Sequence, residues 1–285
     1  MIDNPILNSP FDEPTRYFDV VNGQFTENIV AGRRRSSYLI PVAKPRGTST
    51  VQQLALPGQQ VQDVKPNEFV NEIRGYVRAW REAGYPGATH TTRTLLHYWN
   101  DPERPSRLFF AQIEAVETAI YLAEYAPKNR PSVINGLDAI NRNDNEGLPR
   151  RAFKMATGSG KTVVMSMLIA WQTLNKFSNP QDKRFSDAFL IVAPGITIRD
   201  RLRVLQPSEP AETNYYLQRD IAPPDLRDRL ASAKIVITNF HAFQLRAERM
   251  RQNLTRQSSG TTSSNRRRRW CVASFVTSAT RRTSS

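Results

Sequence analysis

The segment Gly158-Ser159-Gly160-Lys161-Thr162, set directly before the apolar run 163–171, constrains this chain more than any other stretch. Two glycines two residues apart lack the Cβ that would prevent a tight loop, so the backbone can curl and approach a ligand closely. A helix starting at that point adds its unsatisfied N–H groups and partial positive charge to the same spot. Residues 152–156 read as a short strand feeding the loop, and Val163, Met167, Leu168 and Trp171 recur at helical spacing after it. This strand, loop and helix suit the phosphates of a nucleoside triphosphate such as ATP. Thr157, Gly158, Ser159 and Gly160 form the cradle, Lys161 supplies an ammonium to the outer phosphates, and the Thr162 hydroxyl is a ligand for Mg2+. The full pattern G-x-x-x-x-G-K-[ST] asks for glycine where this chain has Met155, but the two inner glycines and the Lys-Thr pair are present.

With 285 residues, 39% of them hydrophobic, the chain can bury one or two ordinary cores. Its opening, Met1-Ile2-Asp3-Asn4-Pro5, has neither the basic nor the apolar region of a secretory signal. The longest apolar run, broken by Ser166, falls far short of the roughly 20 residues a membrane span needs. A single cysteine, Cys271, excludes an intramolecular disulfide within the chain and suits a reducing cytoplasm.

The formal charge of +14 is unevenly distributed: residues 251–285 hold eight arginines and no acid, which leaves +6 for the first 250 residues. That tail is dominated by Arg, Ser and Thr, includes Arg266-Arg267-Arg268-Arg269, and keeps no period of 3.6 or 2. Its composition predicts disorder. Two readings stand: a basic arm that contacts phosphates, or a solvated extension without function, such as translation in a shifted frame would produce.

Ahead of the loop, residues 16–41 suggest strands around the hairpin turn Asn22-Gly23 and around Arg33-Arg34-Arg35, a cluster that reads as a solvated turn. Residues 44–66 are rich in Pro, Gly and Gln and read as a linker, giving an N-terminal β-rich region over 1–66. In 67–83, Phe69, Val70, Ile73, Tyr76, Val77 and Trp80 line one helical face, and Gly84-Tyr85-Pro86-Gly87 ends the helix. A second helix is expected over 106–125, ended by Pro127, within a helical region 67–130. Gln112 lies on it beside Phe109 and Phe110, and a glutamine amide can pair with both N6 and N7 of adenine.

Beyond the loop, 188–193 is a continuous apolar run, as a parallel strand buried on both faces requires. Pro194-Gly195 ends it, a helical pattern with Arg199, Arg201 and Arg203 follows, and 234–238 reads as another short buried strand leading into Asn239-Phe240-His241. The carboxyl ends of such strands are where ligands bind in open parallel sheets. The predicted fold is α/β, with a doubly wound parallel-sheet P-loop domain over 131–250.

Gln112, Ala-Thr-Gly-Ser-Gly-Lys-Thr at 156–162, Ile-Val-Ala-Pro-Gly at 191–195 and Ile-Val-Ile-Thr-Asn-Phe-His at 235–241 resemble the ordered motifs Q, I, Ia and Ib/Ic of superfamily 2 (DEAD/DEAH-box) helicases. The wording is most similar to Res subunits of type III restriction enzymes, and Gly-Tyr-Pro-Gly at 84–87 resembles their leading region. The resemblance implies a RecA-like domain that uses ATP and Mg2+, acts on duplex DNA and pairs with a methyltransferase (Mod) subunit. It assigns adenine recognition to Gln112 and places Pro194, Gly195, Thr238 and Asn239 along the DNA backbone. The family's next motif is an Asp-Glu pair, yet after Thr238 this sequence holds one acid, Glu248. Neither a second RecA-like domain nor a nuclease domain is present in the 285 residues. The expectation is therefore a chain that binds nucleotide and DNA with no catalytic residue of its own; the alternative is a non-enzymatic nucleic-acid-binding remnant acting through the basic tail.

A phosphate-contacting tail has a measurable signature, because counterion release makes binding fall steeply and linearly in log salt. Deleting 251–285 is then expected to flatten the salt slope of DNA binding, measured by fluorescence anisotropy. An unchanged slope would assign binding to the preceding residues.

Overall fold

A computed structural model describes residues 6–21, 24–41, 62–145, 149–243 and 271–273. Among them no helix is long and apolar enough to cross a membrane. The chain divides into two compact units, Met1–Tyr85 and Pro86–Ser285.

In the first unit, β1 (Arg16–Val21) pairs antiparallel with β2 (Gln24–Ala31), and the register slips between Phe18 and Val20. Val21 faces Gln24, which leaves two residues to connect the strands; the expected Asn22-Gly23 turn itself lies outside the described residues. β3 (Ser37–Pro41) pairs with β4 (Gln62–Pro66). The stretch read as linker thus ends in a strand, because cross-strand pairing with β3 overrides a composition that alone favours loop. Helix α1 (Glu68–Glu82) buries Ile73, Val77 and Trp80 of the expected stripe and leaves Phe69, Val70 and Tyr76 half-buried, and Asn67 caps its N-terminus. It stops at Gly84, where φ is +75°, and Tyr85 folds back to stack edge-on against Trp80 at 4.9 Å. Two of the three clustered arginines are not simply solvated: Arg33 pairs with Glu13 and Arg35 with Glu68, while Asn71 exchanges hydrogen bonds with Ser36.

The second unit opens with α2 (His90–Asn100), capped by Thr89 and burying Leu95, Leu96 and Trp99. Its C-terminal end is clamped by Arg104, whose guanidinium donates to the carbonyls of Tyr98 and Arg219 and lies 4.7 Å from the Tyr98 ring. The Trp99 indole N–H donates to Ile221 O at 2.7 Å beside it. α3 (Phe110–Ile120) starts four residues later than its apolar pattern suggests, since Phe109 is extended. It runs into a π-helical turn, Tyr121–Tyr125, and then α4 (Ala126–Asn129). Pro127 therefore does not end the helix. In the π turn the Ala126 N–H reaches back to Tyr121 O, and Pro127 falls in the first turn of α4, where a missing donor costs little. α5 (Pro131–Asp144) follows.

The centre of this unit is α6 (Lys161–Ser178), buried on nearly every side from Val163 to Asn175. A helix apolar all round must be enclosed, and α6 packs against α2, α3 and the 3-10 turns at Leu202–Leu205 and Asp228–Ser232. β5 (Ala188–Ala193) and β6 (Lys234–Asn239) form the expected parallel pair, with Val192 opposite Thr238 and Ala193 opposite Asn239. Between them lie α7 (Ile196–Arg201), α8 (Tyr215–Gln218) and α9 (Pro224–Arg227). β7 (Cys271–Ala273) joins the other edge of β5, parallel, giving the order β6-β5-β7. These three residues depart from the structureless tail expected, because the free edge of β5 offers unpaired N–H and C=O groups to any short extended segment. The rest of the tail lies outside the described residues.

Residues 152–156 do not form the strand expected before the loop. Phe153 lines a cavity of about 430 Å3 together with Leu168, Ile169 and the β5 residues Phe189 and Ile191, among others. Among the described residues they join no sheet, and a strand-like composition becomes a strand only beside a partner.

One buried polar network ties the helices together. Glu124, 3% exposed on the π turn, accepts from Thr92 Oγ1 at 2.6 Å, Trp171 Nε1 at 2.7 Å and Thr89 N at 2.8 Å. Asn175 Nδ2 donates to Thr92 Oγ1 at 2.9 Å. Glu124→Ala strands those three donors and is expected to destabilise the unit by about 3 kcal/mol, with Glu124→Gln costing less because one acceptor remains. The shift in urea midpoint checks the order of the two variants.

Candidate phosphate site

The loop at 157–160 closes directly onto α6. Gly158 and Gly160 both adopt left-handed backbone, with φ of +81° and +80°. Their roles differ. A Cβ built on Gly158 meets nothing within 4 Å, whereas one on Gly160 would lie 2.1 Å from Gln112 Nε2. Glycine is thus favoured at both positions by conformation, and at 160 a Cβ would in addition displace the Gln112 amide.

The Ala156 carbonyl gathers the loop. It accepts from Ser159 Oγ and from Lys161 Nζ, each at 2.7 Å. The Lys161 ammonium consequently lies back over the loop. At the helix start the first N–H with a partner inside the turn is that of Val163, donating to Gly160 O at 2.9 Å, so the N–H groups of Lys161 and Thr162 precede the helical ladder. Ammonium, two leading N–H groups and the half-buried Thr162 side chain converge at the start of an 18-residue helix. Such a concentration of donors and positive potential suits a polyanion, and the Thr162 hydroxyl oxygen suits a hard cation bound with it.

Gln112 is brought to the loop from 47 residues away in sequence. It is 5% exposed; its Nε2 donates to Ser159 O at 3.1 Å and its Oε1 accepts from Phe109 N at 3.0 Å. The amide expected to face adenine is therefore engaged at both ends within the protein. A signal for the second bond was present in the sequence: a glutamine at the third helical position commonly caps the N–H three residues before it.

Pro194, Gly195, Thr238 and Asn239 form a separate group at the carboxyl ends of β5 and β6, brought side by side by the parallel register. Asn239 Oδ1 accepts from Ala242 N at 3.0 Å and so caps the 3-10 turn Phe240–Phe243. Gly195 is extended, and a Cβ there would meet nothing within 4 Å, so the protein's own packing does not demand glycine at this position. Nearby, a cleft of about 450 Å3 is lined by Arg199, Asp200, Arg203 and Glu209. Arg199 pairs with Asp200 and Arg203 with Glu209, but exposed Arg201 has no such partner among the described residues. No hydrogen bond joins this group to the loop among the described residues.

Residues 106–262 match a family model described as type III restriction enzyme, res subunit. No curated protein and no solved structure matches the chain.

The unequal demands on the two glycines are testable. Gly160→Ala is expected to lower thermal stability by more than Gly158→Ala, which carries only the left-handed penalty of about 1–2 kcal/mol. Equal losses in differential scanning fluorimetry would show that Gln112 yields freely.

Proposed function

The chain belongs to the type III restriction enzyme Res subunit family, and on that premise we propose that it binds ATP with Mg2+ at the 157–162 loop. It acts, on this reading, as the N-terminal portion of a helicase-like, DNA-dependent ATPase. The observation that carries the proposal is the loop geometry: two left-handed glycines, a lysine folded over them and the exposed start of a long buried helix. Lys161 exchanges its neutral carbonyl partner for the outer phosphates, a stronger charge-assisted pairing. The backbone of Thr157, Gly158, Ser159 and Gly160 cradles the inner ones, and Thr162 provides one oxygen to the metal. Mg2+, when bound, neutralises phosphate charge.

Duplex DNA is assigned to the second group. Short polar side chains and accessible backbone at the ends of parallel strands can hold phosphates without reading bases. Gly195, which packing leaves optional, exposed Pro194, Thr238 and Asn239 meet that description, with Arg201, which has no ion-pair partner among the described residues, close in sequence. A methyltransferase (Mod) subunit is the partner proposed from the family.

The single acid after Thr238, Glu248, gives these 285 residues no carboxylate pair to orient water. Phosphoryl transfer also draws on a charge facing the developing transition state, worth about 10³–10⁵ in rate. Binding that is equal in ground and transition states does not accelerate chemistry. The chain alone is thus expected to bind ATP yet show no DNA-stimulated phosphate release. Lys161→Ala is expected to weaken ATP binding about 10- to 100-fold in calorimetric titration, the loss of one charge-assisted contact. Equal affinity in mutant and wild type would remove the loop from the binding site; DNA-stimulated release abolished by Lys161→Ala would point to Glu248 as an overlooked carboxylate.

A further inference from the structure

We propose that the first compact unit carries a binding track for single-stranded nucleic acid, with a base stacking on Phe25 and phosphates meeting the arginines around Arg34. The residues concerned all precede residue 86, outside the 106–262 match, and none of them belongs to the phosphate loop or to the strand-end group.

The track begins at a cleft of about 440 Å3 beside the β1–β2 hairpin. Tyr17, Phe18 and Phe25 line it together with Arg16, Arg33 and Arg34, and no acidic side chain does. Tyr17 and Phe18 are half-buried, whereas Phe25 is 67% exposed. An exposed phenylalanine by itself is ordinary. This one shares its cleft with cations that lack carboxylate partners. Arg34 has neither an ion pair nor a hydrogen bond among the described residues, and Arg16 donates to a neutral acceptor, Leu7 O, at 3.3 Å. A ring face beside a guanidinium with no acid to neutralise it matches the two halves of a nucleotide, since the base stacks and the phosphate takes a charge-assisted hydrogen bond.

The charge continues past this cleft. Arg33 and Arg34 also line a second one, of about 370 Å3, which holds five arginines against two acids, Glu68 and Glu72. Glu13 serves Arg33 at 3.3 Å, Arg78 through Nε at 3.2 Å and Arg81 at 3.9 Å, so three guanidiniums share one carboxylate and an excess of two positive charges remains. All of these cations are arginines, whose planar forks suit phosphate oxygens. Two clefts joined through Arg33 and Arg34 suit a polymer. A compact anion would use only the second cleft, and an acidic peptide would leave the ring of Phe25 without a planar partner.

The strand is single because the faces of bases in a duplex are covered by their neighbours, whereas an unpaired strand can splay a base onto an aromatic ring. Asn8, the one amide lining the first cleft, is already committed: its Oδ1 accepts from Thr15 N at 2.9 Å and its Nδ2 donates to Arg16 O at 2.8 Å. Stacking and charge therefore carry the recognition, and both tolerate any sequence.

Fluorescence anisotropy on the full chain tests the assignment with labelled oligothymidine, oligouridine and an abasic strand of equal length, the first two separating DNA from RNA. Phe25→Ala is expected to weaken binding of both base-bearing strands about tenfold and to leave the abasic strand unchanged, while Phe25→Tyr, which keeps the ring, binds as wild type. Arg34→Ala is expected to weaken all three and to lower the salt slope by about 0.7, the share of one phosphate contact on a single strand. Both side chains are exposed, so the variants keep the fold, and any contribution of the arginines in 251–285 is the same in each and cancels. Phe25→Ala without effect on either base-bearing strand, or with an equal loss on the abasic one, overturns the proposal, as does an unchanged salt slope in Arg34→Ala. Phe25-dependent binding of polyglutamate or of anionic lipid vesicles in place of the strands would assign the cleft to another partner and overturn it as well.

Discussion

The enclosure of α6 is the constraint on which the rest of the second unit depends. A phosphate loop is useful only if the helix behind it cannot move, and α6 is fixed along its length by burial from Val163 to Asn175. Apolar contact alone would leave its rotation weakly specified, since its apolar residues face every direction. Polar contacts set the angle. Glu124 and Thr92 receive the Trp171 indole, Asn175 binds Thr92, and the Ser186 N–H donates to Gln172 Oε1 at 2.9 Å. A buried carboxylate is stabilising only when its donors are complete, and the three that serve Glu124 come from the start of α2 and from the middle of α6.

That arrangement separates two tasks along one helix. The carboxyl-terminal half of α6 carries the interlocking side chains, and its first turn carries the donors that face outward. Gln112 is the only described side chain from before the loop that hydrogen-bonds to it, and it does so through main chain, at Ser159 O. The loop is accordingly held at its base by α6 and at its crest by α3, with Ala156 O drawing the intervening residues inward.

The parts legible in the sequence were those in which local chemistry and tertiary packing agree. Gly158 and Gly160 adopt the left-handed backbone their spacing suggests, α1 buries the stripe that its period marks, and β5 and β6 pair in parallel as continuous apolar runs should. What escaped was decided by partners. Residues 152–156 have a strand-like composition, but among the described residues they join no sheet. β4 has a loop-like composition and is a strand because β3 lies beside it. α2 is rich in threonine, and α5 contains Gly136 and three asparagines, so neither has strong intrinsic helical preference; Leu95, Leu96, Trp99 and Val133 anchor them through burial. At the site, residue types pointed to phosphate chemistry at Lys161 and Thr162, while the direction of the Gln112 amide depended on a carbonyl 47 residues away in sequence.

The π-helical turn at Tyr121–Tyr125 has a consequence for how this sequence tolerates change in length. A π turn holds one residue more than the α-helical path it interrupts, so the chain here carries an accommodated insertion. Removing a single residue from that turn would let α3 and α4 run on as one regular helix, with the segments on either side kept in phase because the π turn absorbs its extra residue locally. The residues that move are those of the turn itself, Glu124 among them, whose carboxylate meets Trp171, Thr92 and Thr89. A deletion that improves the local hydrogen bonding would in this way perturb the contacts to the helix that bears the phosphate loop, and the spare residue is best understood as a local widening that the flanking segments do not feel.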